Sequence, residues 1–176
     1  MHFPTRLLSG AGMRRQEVMR LDIEDFEVET GAVTIRAGKG RKDRIAYTSN
    51  GSLAALQGWL TVRSTEPGPL FIPVMKGGRL VVRRMIAHAV YKIVLKRAEQ
   101  AGVKAFSPHD LRRSFVADLL DAGADISTVQ QLAGHAGIAT TTKYDRRGGA
   151  AKRRAVELLH VPLERCSGLI GNGCRV

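Results

Sequence analysis

Apolar positions along the chain follow two periods. In residues 14–21, RRQEVMRL, Val18 and Leu21 fall on one helical face. Residues 32–37 and 43–48 alternate instead, which predicts two strands, with Val33 and Ile35 as the apolar positions of the first and Ile45 and Tyr47 as those of the second. GKGRK lies between them, and its glycines permit a tight excursion, so the pair reads as a β-hairpin with Lys39 near its tip. A helix follows over about 52–63, with Leu53, Leu56, Trp59 and Leu60 as its apolar face. TEPGPLFIPVMKGG reads as a loop with one short apolar run. A long helix is expected from Val81 to Ala101, with a stripe of Val82, Ile86, Ala89, Ile93 and Leu95. The next helix runs from Pro108 to Ala122 and stops at Gly123. Asp125 caps a short helix ending at Gly134, and Lys152 to His160 reads as a last amphipathic helix. Beyond Pro162 a tail of little order is expected. No internal repeat is apparent. The fold class is therefore mainly α (α+β), with a small antiparallel sheet near the N-terminus.

The helix start SPHDLRRSF is unusual. Ser107 is a good N-cap, Pro108 fits the first helical position, and Asp110 completes a capping box. His109 and Arg112 then lie one turn apart on the same face, at the end where the helix dipole already attracts anions.

Charge gives that detail company. The chain has 176 residues, enough for one domain, with 28 Lys and Arg against 16 Asp and Glu, a net charge of +12. Such an excess favours a polyanionic partner, nucleic acid before membrane. The basic residues form clusters, Arg41-Lys42-Arg44, Arg83-Arg84, Arg112-Arg113, Arg146-Arg147 and Lys152-Arg153-Arg154, which suit a groove better than a basic arm. No run approaches the ~18 apolar residues of a membrane span, and the start lacks a secretory signal, so a soluble cytoplasmic protein is expected. Cys166 and Cys174 fit neither a zinc pattern nor a disulfide framework.

Several polar features line up in order. Gly12-Met13-Arg14 is followed one turn later by Glu17, a carboxylate placed to steer an arginine fork. Lys39 follows on the hairpin, then His109 and Arg112, then Gly134-His135, then Tyr144. The segments GMRRQEV, GKGRKDR, PHDLRRSFV, QLAGH and TTTKYDRR, in this order and spacing, resemble the tyrosine recombinase (phage integrase) family. Each fragment alone is weak; five in register are specific. The resemblance covers about residues 8–160, nearly all of the chain expected to be ordered.

That resemblance implies a DNA site-specific recombinase or integrase catalytic domain over residues 1–163, with 164–176 as a tail. It implies strand cleavage through a 3′-phosphotyrosyl intermediate, a reaction needing no metal or ATP cofactor. Arg14 and Arg112 would clamp the phosphate, for which rigid planar forks are well suited. Tyr144 would be the nucleophile, and His109 the proton acceptor or hydrogen-bond partner. Lys39 would be the general acid, with Lys42 in the same loop as its rival. His135 would donate to the phosphate and Glu17 would orient Arg14. Arg41, Lys42, Arg44, Arg83, Arg84, Arg113, Arg146 and Arg147 are the expected DNA-binding residues.

Relatives usually carry a helical DNA-binding domain ahead of the catalytic one, and here Arg14 arrives almost at once. The chain is thus expected to lack that domain and to have a shortened first catalytic-domain helix. Double-stranded DNA is the implied partner; the C-terminal helix either docks on a neighbouring protomer, assembling a homo-oligomer, a synaptic tetramer, or docks in cis on its own molecule. Two other readings stand beside it: a truncated integrase that binds DNA without cleaving it, and a type IB topoisomerase-like activity.

Overall fold

The computed structural model describes residues 3–36 and 43–160. Eight α-helices and a two-stranded sheet follow in chain order among them: α1 (Phe3–Gly10), α2 (Arg15–Arg20), β1 (Ala32–Ile35), β2 (Arg44–Tyr47), α3 (Asn50–Arg63), α4 (Ala87–Gln100), α5 (Pro108–Asp121), α6 (Ile126–Ala133), α7 (Ile138–Thr142) and α8 (Gly149–Glu157). The chain divides into two units, residues 1–146 and 147–176. α8 belongs to the second; its Val156, and Leu158 and Leu159 just beyond it, are exposed. The expected tail, with Cys166 and Cys174, lies outside the described residues.

In the first unit, α1 packs on α3, α4 and α5 through Leu7 and Leu8, both fully buried. The apolar pattern did not single out this helix. Its residues join Met13, Val18, Leu56, Leu70, Val90 and Val94 in the main core, each stabilising the fold by about 1.5–3 kcal/mol if fully withdrawn from water. Trp59 is buried in the same core; its indole N–H donates to the Leu70 carbonyl at 2.7 Å and its ring stacks on Phe71. A smaller cluster of Val116, Leu120, Val129 and Ala133 joins α5 to α6, with Tyr144 packed against its edge.

Helix boundaries follow the punctuation in the sequence. Ser107 and Asp110 form the capping box, the Asp110 carboxylate accepting from the Ser107 N–H at 2.9 Å and its hydroxyl at 2.7 Å. Asp125 caps α6 by accepting from the Thr128 N–H at 2.8 Å. Gly123 and Gly134 follow α5 and α6 with positive φ.

One expectation is corrected, and one apolar pattern faces outward. The long helix starts at Ala87, not Val81, and Val82 and Ile86 are exposed. Residues ahead of it are held extended by the Val74–Leu80 bridge and by the Val81 N–H donating to Pro73, and Val90, Val94 and Ala98 form the buried stripe. On β2 the inward face is not the one that carries the apolar positions: Ile45 is 51% exposed and Tyr47 55%, while Ala46 is buried. The antiparallel register pairs Val33 with Ala46 and Ile35 with Arg44, and paired residues share a face. With Val33 and Ile35 in the core, Ala46 and Arg44 must turn inward too.

Candidate active site

α2 has an arginine at its N-cap, and its third residue, Glu17, explains why. Glu17 accepts from the Arg14 backbone N–H at 2.7 Å through Oε2 and from Arg14 Nη1 at 2.8 Å through Oε1. Arg14 Nη2 donates to the Gly134 carbonyl at 2.9 Å. The Arg14 guanidinium is thus held from both sides, by α2 and by the end of α6.

Arg112, the fifth residue of α5, is 4% exposed. Its Nη1 donates to the Gly12 carbonyl and its Nη2 to the Ala133 carbonyl. Gly12 has φ +59°, and a Cβ there would lie 2.3 Å from the Phe115 ring, so the turn that offers this carbonyl needs glycine. Burial, then the Arg14 guanidinium, pull the Arg112 pKa down to about 10; it stays charged at neutral pH. Burial also lowers Arg44, with the Glu17 carboxylate opposing.

His135 follows the left-handed Gly134. Its N–H donates to the Gln130 carbonyl at 3.0 Å, the Gln130 side chain returns a bond to the His135 carbonyl at 3.2 Å, and Nδ1 lies 2.9 Å from the hydroxyl of buried Thr141. Burial, followed by the charges of Arg112, Arg14 and Arg44, holds the imidazole down to about 4, so it is neutral at pH 7. Its ring lies 6.3 Å from that of Tyr144, centroid to centroid. The Arg113 guanidinium sits 5.7 Å over the Tyr144 ring, and ionised Tyr144 would be felt by Arg112 as a favourable charge.

Two cavities meet at Arg14. One of about 420 Å³ is lined by Arg14, His109 and Arg112 among others; the other, about 670 Å³, by Arg14, Glu17, Arg44, Gly134 and His135. Positive charge from three segments, carried by Arg14, Arg44 and Arg112, therefore converges where Glu17 offsets only part of it, which favours an anion. Among the described residues no group of three or more His, Cys, Asp or Glu is placed to hold a metal ion, and no helix is long and apolar enough to cross a membrane.

The other sequence-derived candidates scatter. Lys39, Arg41 and Lys42 lie outside the described residues. Arg83 and Arg146 are exposed, and Arg147 belongs to the second unit. Arg84 is tied to the protein, its Nη1 donating to the Met19 carbonyl at 3.0 Å and its Nη2 to Asp22 at 2.5 Å. Arg44 turns inward onto Glu17 at 2.8 Å. Thr141 was not singled out; the threonine run before Tyr144 was its only trace in the sequence.

Residues 2–148 match the model of the phage integrase family. The chain belongs to that family. Among curated phage integrase relatives it is 34% identical over 151 residues to the tyrosine recombinase XerA of Pyrococcus furiosus, covering 86% of this chain and 51% of that protein. It is 37% identical over 141 residues to the tyrosine recombinase XerC of Corynebacterium glutamicum, covering 78% and 44%. The crystal structure of XerA recombinase superposes with a TM-score of 0.72 at 29% identity, over 87% of this chain and 55% of that one. XerH site-specific recombinase bound to its difH substrate is similar at a TM-score of 0.66 and 27% identity, over 89% and 45%. The chain spans about half the length of the curated relatives it matches.

Proposed function

We propose that this chain carries the strand-cleaving and rejoining chemistry of a DNA site-specific recombinase of the tyrosine class. The observation that carries this reading is the convergence of two braced guanidiniums, Arg14 and Arg112, with a neutral His135 beside Tyr144.

In the proposed reaction, the Tyr144 oxygen attacks the scissile phosphorus. A P–O bond to tyrosine forms, the P–O5′ bond breaks, and the phenolic proton passes to a base, for which His109 is the candidate. Lys39 protonates the departing 5′ oxygen. The reverse reaction, with a different 5′ hydroxyl as nucleophile, rejoins the strand and restores Tyr144. No bond energy is lost to water, because the phosphodiester is conserved as a phosphotyrosyl ester. Arg14 and Arg112 stabilise charge on the non-bridging oxygens, and oriented donors of this kind contribute about 10²–10³-fold each. A neutral imidazole has one N–H; in the tautomer whose Nδ1 accepts from the Thr141 hydroxyl, Nε2 is the donor toward phosphate. The net charge of +12 supports double-stranded DNA as the partner, and the exposed apolar residues in and just after α8 support assembly into a homo-oligomer on it.

The test mixes the protein with nicked duplex at low salt, beside Tyr144→Phe. A detergent-resistant protein–DNA adduct that the variant lacks, with duplex binding retained by both, is the expected result. A salt-sensitive shift with no adduct would replace this reading with that of a non-cleaving DNA-binding module.

A further inference from the structure

We propose that Arg44 is a positioning residue for strand cleavage: from β2 it holds the Glu17 carboxylate that steers Arg14 and wedges against the Gly134 turn that carries His135. The proposal rests on the cleavage reading above and adds to it a residue that the nucleic-acid contacts expected from the sequence would place elsewhere.

The Arg44 side chain is 16% exposed and its Nη2 donates to Glu17 Oε2 at 2.8 Å. The same Oε2 accepts from the Arg14 backbone N–H, so one carboxylate joins the start of α2 to β2. Oε1 is left for the Arg14 fork. On its other side, Arg44 fills the space above Gly134. A Cβ built on Gly134 would fall 2.2 Å from Arg44 Nε and 2.7 Å from Cδ, so the glycine is required by contact as well as by its φ of +59°. The Gly134 carbonyl in turn accepts from Arg14. Arg44 therefore touches both groups that orient Arg14. Its Nη1 is buried with no hydrogen-bond partner among the described residues, a cost the fold accepts at this position. With Nη2 on Glu17, Nε against Gly134 and Nη1 buried, the Arg44 fork is committed within the protein and is not presented as a surface contact. Arg44 also anchors the strand that resumes after residues 37–42, the segment carrying Lys39.

The test compares Arg44→Met and Arg44→Lys with wild type, after thermal melting confirms that each folds. Single-turnover adduct formation is measured at saturating nicked duplex, and binding is measured in the Tyr144→Phe background. Arg44→Met should slow adduct formation on the order of 10²-fold, while Arg44→Lys, which still reaches Glu17, recovers most of that loss. Affinity and its salt slope should stay unchanged. A rate unchanged at saturation overturns the proposal. So does a fall in affinity with a salt slope smaller by about 1, the mark of a lost phosphate contact. Should Arg44→Met fail to fold, the Lys variant and Gly134→Ala, which displaces the Arg44 fork without altering its charge, carry the same comparison. The His135 ring titration, followed by NMR without DNA, provides a readout independent of cleavage. It should rise from about 4 in Arg44→Met, and an unmoved midpoint counts against the wedge. A wild-type protein that forms no adduct would defeat the cleavage reading alone, leaving the titration to decide the role of Arg44.

Discussion

Arg63, at the end of α3, and Arg112, at the start of α5, are each 4% exposed, yet their surroundings differ in kind. Arg63 donates through Nε and Nη2 to the Pro69 carbonyl at 3.1 and 3.0 Å, and through Nη1 to the Glu66 carbonyl at 2.7 Å. Every acceptor lies within six residues, so this guanidinium pins the loop that follows its own helix. Arg112 instead joins Gly12 and Ala133, 100 and 21 residues away, and its neighbours include the cations Arg14 and Arg44. Burial of an arginine does not distinguish a brace from a site. Unrelieved like charge does: the Arg63 loop is complete as folded, whereas the Arg112 region gains most when an anion enters.

The largest expected difference is in rate. Arg112→Met should slow single-turnover adduct formation roughly 10²–10³-fold, whereas Arg63→Met should leave the rate per folded molecule unchanged. Equal losses in both would erase the distinction. Stability should rank the other way. Arg63→Met removes its hydrogen bonds to the Ser64, Glu66 and Pro69 carbonyls of a half-exposed loop, at about 0.5–1.5 kcal/mol per bond lost. Arg112→Met also loses bonds to carbonyls but relieves repulsion from Arg14 and Arg44, so its urea midpoint should fall less. Added sulfate should raise the melting temperature of wild type and Arg63→Met by binding the folded state, and that of Arg112→Met less.

The pH dependence sharpens the comparison further. His135 titrates near 4 in the fold against an ordinary 6.5, so the unfolded chain binds more protons between those values. Stability should therefore fall as the pH drops from 6.5 toward 4, and His135→Gln should flatten that part of the profile. The opposite slope would mean the imidazole is neither desolvated nor crowded by cations. The smallest effect concerns the strand that carries Arg44. Ile45→Ala should change stability by less than about 0.5 kcal/mol, as exposed positions do. Ile35→Ala, from the paired strand's buried face, should cost about 2–5 kcal/mol.

Local chemistry made much of the fold legible. Ser107, Pro108 and Asp110 announce α5, Asp125 opens α6 and Gly134 closes it, because caps and left-handed turns depend on few neighbours. The hairpin was legible as a pair of strands, but its inward face was not. Alternation ranks Ile45 and Tyr47 above Ala46 and Arg44, and cannot register that Glu17, 27 residues earlier, makes a buried arginine acceptable. The same blindness to distant partners explains Arg84, whose acceptors at Met19 and Leu21 lie 65 and 63 residues away, and Thr141, whose value depends on His135. Of the candidate site, the motif order pointed to Arg14, Glu17, Arg112, His135 and Tyr144, which the fold brings together; the carbonyls that aim the two forks came only with the fold.

The most direct measurement is the identity of the residue bonded to DNA. Wild-type protein is trapped on a nicked duplex, digested, and its nucleotide-bearing peptide sequenced by mass spectrometry. The expected result is the mass of the nucleotide on Tyr144, linked to the 3′ end of the cleaved strand. A nucleotide on Tyr47 or Tyr91, or attachment to the 5′ end, would contradict it.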